Sequence, residues 1–189
     1  MPKVTLKGGT LLAPMPAALV SCGDMENSNL ITVAWTGIIN SAPPRTYISV
    51  RPERYSHEII SRTGEFVINL TTEKLAHATD YCGVKSGRDM DKFEVSGLSK
   101  LPAHTVKCPI VAESPLALEC RVFEVIKLGS HDMFLADILS VQADSALMSG
   151  SGRLELDRAG LMCYLHGEYF SMGKKLGKFG YTVAKKKKK

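Results

Sequence analysis

Two strand-forming runs on either side of a double proline constrain this chain more than any other feature. Residues 29–37 read NLITVAWTG, a mixture of β-branched, aromatic and hydroxyl side chains that favours a pleated, half-buried strand. Ser41, Ala42, Pro43 and Pro44 then interrupt it, because proline has no N–H to give to a sheet ladder. A second strand is predicted over 46–50, followed by RPERYSH at 51–57, a basic and hydroxyl-rich lead into a helix. The two strands bring an amide, a hydroxyl, the only tryptophan and an anion-friendly turn close together. That is the outline of a ligand wall.

Around this centre, residues 17–22 predict a first strand and residues 65–70 a later one. Ser56 is placed to cap a helix running to about Thr63, with Gly64 ending it. Thr72 is placed to cap a second helix from Glu73 to about Tyr81, broken by the glycines at 83 and 87. Residues 88–93 predict a charged turn, and residues 96–112, with two prolines, loop and edge strand. Residues 116–128 and 133–141 alternate apolar and polar around Gly129, Ser130, His131 and Asp132, the pattern of an antiparallel hairpin. Short strands in succession with two short helices predict one mainly β domain, an antiparallel barrel carrying helices. The absence of a βαβ rhythm and of a G-x-G-x-x-G turn argues against a Rossmann domain.

Composition narrows the function classes. No apolar run approaches the ~20 residues that span a membrane, and no signal peptide is expected at residues 1–16, because Pro and Gly interrupt a short apolar stretch. The formal charge of +5 comes from residues 185–189, five lysines that read as a solvated tail, so the body is balanced. Nucleic acid and membrane are therefore not expected partners. Cys22, Cys82, Cys108, Cys120 and Cys163 are odd in number and form no C-x-x-C pair, as expected of incidental thiols in a cytoplasmic protein.

The candidate chemistry lies in a few places. Arg51, Arg54, Ser56 and His57 offer donors to an anion at a helix start, although a capping Ser56 with arginines in water is the simpler reading. Lys92, in SGRDMDKF at 86–93, offers an ammonium, or local ion pairs in a surface turn. Trp35 offers a stacking face and His131 a donor at a hairpin tip. No G-x-S-x-G elbow or H-E-x-x-H pair supports hydrolysis.

Taken in order, NLITVAWTG, SAPPRTYISVRPERYSHEII, TGEFVINL, YCGVKSGRDMDKF and ESPLALECRV are similar to the flavin reductase-like family of FMN-binding split barrels. The likeness runs from about Pro14 to Val183. It implies a six-stranded antiparallel Greek-key barrel, a homodimer, and non-covalent FMN. By position in the matching motifs, Asn29, Thr32 and Trp35 would line the flavin, and Ser49, Arg51, Ser56 and His57 would serve its ribityl and phosphate end. Lys92 and His131 would approach the ring, and Tyr164 would close the pocket. The implied activity is electron transfer between redox partners. Alternatives are an NAD(P)H-dependent flavin reductase, and a non-redox module for another planar ligand such as haem.

Overall fold

The computed structural model describes residues 1–183, and the lysine run at 185–189 lies outside the described residues. The strands and helices follow in chain order as β1 (Met15–Pro16), β2 (Ala18–Gly23), β3 (Ser28–Val33), β4 (Thr36–Ser41), β5 (Pro44–Val50), α1 (Tyr55–Thr63) and β6 (Glu65–Leu70). After them come α2 (Ala76–Val84), α3 (Lys92–Val95), β7 (Lys100–Leu101), β8 (Ile110–Val111), β9 (Leu116–Lys127), β10 (Asp132–Ala143), β11 (Met162–Leu165) and β12 (Glu168–Ser171). A seven-stranded antiparallel sheet has the order β3-β2-β6-β9-β10-β5-β4, and a small sheet β1-β11-β12 lies beside it.

The sheet has seven strands where six were expected, because the run at 29–37 is two strands. Its ladder to β2 ends at Val33, and Thr36 begins a new ladder with β5. Between them, Thr36 N–H turns back to the Ala34 carbonyl, and the Trp35 carbonyl accepts from Ser49 N–H at 2.9 Å. Since β3 and β4 are the two edges of the sheet, this corner draws the edges together. Ala18, Val20, Ile31, Val33, Ile48, Phe66, Cys120 and Phe134 meet in one core, reached also by Ile59 and Ile60 of α1. A shared interior of this kind is what a closed sheet requires.

The prolines serve a turn. Ser41 pairs with Pro44 across Ala42 and Pro43, so the break is a hairpin tip and β5 starts at Pro44. The fold also overrides a local signal in α2, which continues through Gly83. A Cβ at Gly83 would stand 3.3 Å from Thr32 Cβ, and Thr32 Oγ1 donates to the Thr79 carbonyl, so glycine lets the helix lie close on β3. Packing here outweighs the modest helix penalty of glycine. Gly64, at φ 68°, ends α1 in the left-handed region as expected. Among the described residues no helix is long and apolar enough to cross a membrane.

Candidate functional site

A cleft opens where β3, the Trp35 corner, the end of β5 and α2 meet the β11-β12 hairpin. It has two lobes, and Ile31 and Arg54 line both. The first, of about 370 Å³, is bounded by Thr32, Trp35, Ser49, Arg51, His131 and Tyr164. Trp35 is half-buried against the barrel core, so one part of the indole packs while another faces the lobe. On the opposite side, Tyr164 pairs with Tyr169, their rings edge to face with centroids 5.8 Å apart. Ser130 Oγ lies 2.9 Å from His131 Nδ1.

The second lobe, of about 300 Å³, is lined mostly by polar and charged residues and holds Asn29, Ser56 and Lys92. Asn29 Nδ2 donates to Ser56 Oγ at 2.8 Å, and both side chains are buried. Lys92 is 3% exposed; its Nζ donates to the carbonyls of Leu30 at 2.9 Å and Cys82 at 2.8 Å. An ammonium has three donors, so one is left over. Among the described residues no carboxylate pairs with Lys92, and burial lowers its pKa below the ordinary lysine value. Arg54 likewise makes no ion pair among the described residues. Burial raises the pKa of the Cys82 thiol in the same lobe, so it is not a ready thiolate.

The backbone at 86–87 completes this lobe. A Cβ at Gly87 would overlap Asn29 Oδ1, so any larger residue here has to push the loop or the asparagine aside. Cradle, donors and unpaired cations together fit an anionic, hydrogen-bonding ligand with a flat part.

Asn29, Thr32, Trp35, Ser49, Arg51, Ser56, Lys92, His131 and Tyr164 all line the cleft, in two groups. Lys92 and His131, expected together at a ring, lie in different lobes, and Lys92 shares its lobe with Ser56. His57 does not line the cleft. It packs on β10 instead, where its Nε2 meets Asp132 Oδ2 at 2.9 Å and its ring packs edge-on to Phe134. Ser56 is not a cap either: the helix starts after Arg54 without a side-chain capping bond, and Ser56 lies inside the first turn facing Asn29. Residues not anticipated include Asp80, Gly83 and Val84 of α2 and Tyr169 of β12. Burial first, then the Asp80 carboxylate, pushes the Tyr169 hydroxyl up to about 12. The Gly-and-aromatic composition of the C-terminal region was the one available signal for Tyr169.

The comparisons with known proteins agree with this fold. A family model described as flavin reductase like domain matches residues 11–173. Flavoredoxin of Desulfovibrio vulgaris (Miyazaki F) superposes with a TM-score of 0.89 at 29% identity, covering 97% of this chain and 100% of that one. A flavoredoxin from Methanosarcina acetivorans, at 24% identity, shares the fold with a TM-score of 0.87 over 97% of this chain and 100% of its own. An NADPH-flavin oxidoreductase of Streptomyces viridifaciens is 24% identical over 153 residues, 79% of this chain and 78% of that protein. A family match over most of the chain, joined to a flavoredoxin-like barrel, makes this protein a member of the flavin reductase-like family.

Proposed function

We propose that the cleft holds FMN non-covalently and that the protein carries electrons between redox partners through it. The observation that carries this reading is the join of an aromatic-walled lobe to a lobe whose buried cation lacks a carboxylate. Each lobe is at the scale of a small-molecule site, and the two share Ile31 and Arg54. Trp35 and Tyr164 offer flat surfaces to a ring, with Thr32, Ser49 and His131 as polar neighbours. Asn29, Ser56 and Lys92 offer donors, and Arg51 and Arg54 offer exposed cations to a phosphate. Bound flavin would supply the redox chemistry, while these side chains set its affinity and potential. The likeness to the Desulfovibrio flavoredoxin supports this choice of activity.

The test is optical. Protein stripped of small molecules and titrated with FMN should quench flavin fluorescence to a stoichiometric endpoint and turn yellow. A protein left colourless by excess FMN overturns the proposal, and a haem-like or other spectrum in the purified protein would replace it with a different planar ligand.

A second reading, an NAD(P)H-dependent flavin reductase, is favoured by the similarity to the Streptomyces NADPH-flavin oxidoreductase. Anaerobic mixing separates the two. Prompt bleaching by NADPH or NADH supports the reductase, and reduction only by a protein donor supports the carrier.

The proposal extends to one domain, working as a homodimer in the cytoplasm. Exposed apolar side chains of β4 and β9, Ile38, Ile39, Phe123 and Val125, are surface that a second copy would cover. Buried free thiols at Cys22, Cys82, Cys108 and Cys120 suit a reducing compartment. Light scattering of the FMN-loaded protein checks the assembly.

A further inference from the structure

The polar lobe has two rims drawn from distant parts of the chain. One is the turn into α1, with Glu53, Arg54 and Tyr55; the other is the loop between α2 and α3, with Lys85, Ser86 and Gly87. The loop is tied down at both ends. Lys85 N–H reaches the Tyr81 carbonyl at 3.0 Å, and the Asp91 carboxylate caps α3 by accepting from Phe93 N–H at 2.8 Å. Between these anchors stands Arg88, whose own N–H donates to Ser86 Oγ at 3.2 Å.

The Arg88 side chain crosses to the opposite rim. Nη1 donates to the Glu53 carbonyl and Nη2 to Glu58 Oε2, each at 3.2 Å, while the guanidinium carbon lies 5.1 Å from the centroid of the Tyr55 ring. Each contact is weak at a surface. Because one planar fork makes all three, separating the rims breaks them together. Neither Arg88 nor Glu58 lines the cleft itself.

We propose that Arg88 is a clasp that joins the two rims of the polar lobe and slows release of the bound cofactor. This rests on the FMN reading above, and bears on whether the flavin is a fixed group or one that leaves between turnovers. A retained flavin is what a carrier needs; a loose one suits a reductase that hands flavin on.

The experiment follows flavin binding and release in stopped flow, with FMN as the probe and fluorescence recovery on dilution as the signal. Arg88→Ala should raise the dissociation rate constant about tenfold, with an association rate constant unchanged or faster, since entry is also eased. Glu58→Ala, which removes one contact without touching the lobe, should raise it about twofold to threefold. The double variant should release FMN no faster than Arg88→Ala alone, as expected when two residues act through one interaction. Melting of the flavin-free variants checks that they remain folded. Should Arg88→Ala bind FMN more slowly but release it at the parent rate, the arginine is only a source of attraction for phosphate and the clasp is overturned. Additive effects in the double variant also overturn it. A parent protein that never binds FMN defeats the cofactor reading instead, and shows itself before any variant is made.

Discussion

His57 Nε2 and Asp132 Oδ2 lie 2.9 Å apart and join the first turn of α1 to the first residue of β10, across 75 residues of chain. Each partner adjoins in sequence a side chain that lines the cleft: Ser56 before His57, and His131 before Asp132. Their side chains are only 16% and 11% exposed, so an unpartnered Asp132 would be poorly hydrated. His57→Phe preserves the edge-on packing on Phe134 but removes the donor. It should cost about 1–3 kcal/mol of stability in urea unfolding, the usual penalty for a buried acceptor left alone. His57→Gln, which can still donate, should recover much of that loss. Equal stability of the Phe variant and the parent would show that the pair contributes nothing.

Gly87 gives a sharper test of the polar lobe. A Cβ there would stand 1.9 Å from Asn29 Oδ1, and Asn29 in turn holds Ser56. Gly87→Ala must therefore push the loop or the asparagine aside, at about 1–3 kcal/mol for an overpacked contact. FMN affinity should fall together with stability. Gly97→Ala is the control, because a Cβ there meets no atom within 4 Å although its φ of 64° carries backbone strain. It should lower the melting temperature while leaving FMN affinity at the parent value, as read by fluorescence titration.

What was legible in the sequence followed the range of the interaction. Gly64 ending α1, strand β6 and the long β9-β10 hairpin all rest on neighbours within a few residues, and the structure has each of them. The corner at Trp35 depends on Ser49 and on the meeting of sheet edges, so an unbroken run of strand-forming residues gave no sign of it. Gly83 reads locally as a breaker, and only its approach to Thr32 explains a helix there. At the site, the matching motifs named nine residues that line the cleft, but not how they group into lobes. Which lobe takes Lys92 is decided by the Leu30 and Cys82 carbonyls, and His57 is drawn away by a carboxylate far along the chain.

Lys92 brings a cation into the cleft that no carboxylate among the described residues offsets. A positive charge near bound flavin favours the more negative, reduced form over the oxidised one. Lys92→Ala should therefore lower the midpoint potential; a tenfold loss of preference for the reduced form corresponds to about 30 mV for a two-electron couple. It should also weaken FMN binding and cost some stability, since the Leu30 and Cys82 carbonyls lose their donor. The potential must be read at full flavin occupancy, by equilibration with a reference dye. An unchanged potential under that condition removes Lys92 from any electrostatic part in tuning the cofactor.

Glu119 makes a prediction about acid that is independent of the cleft. Its carboxylate is fully buried in β9, yet it accepts from His104 N–H at 3.0 Å, Thr105 Oγ1 at 2.6 Å and Gln142 Nε2 at 2.7 Å. Burial alone would raise its pKa. The hydrogen bonds from Gln142, Thr105 and His104 outweigh burial and hold it at about 2, below the ordinary 4.5. In the unfolded chain the group takes its proton near 4.5, so the folded state binds fewer protons as the pH drops. The stabilisation is fully present above that value and is lost as the pH falls toward 2. The parent should thus lose stability through this window in urea titrations at stepped pH. Glu119→Gln should start about 1–3 kcal/mol less stable at neutral pH, because an amide N–H would face donors where the carboxylate accepted. Its stability should then change less across the same window. Parallel curves for parent and variant from neutral to acid pH would show that Glu119 is not the titrating group.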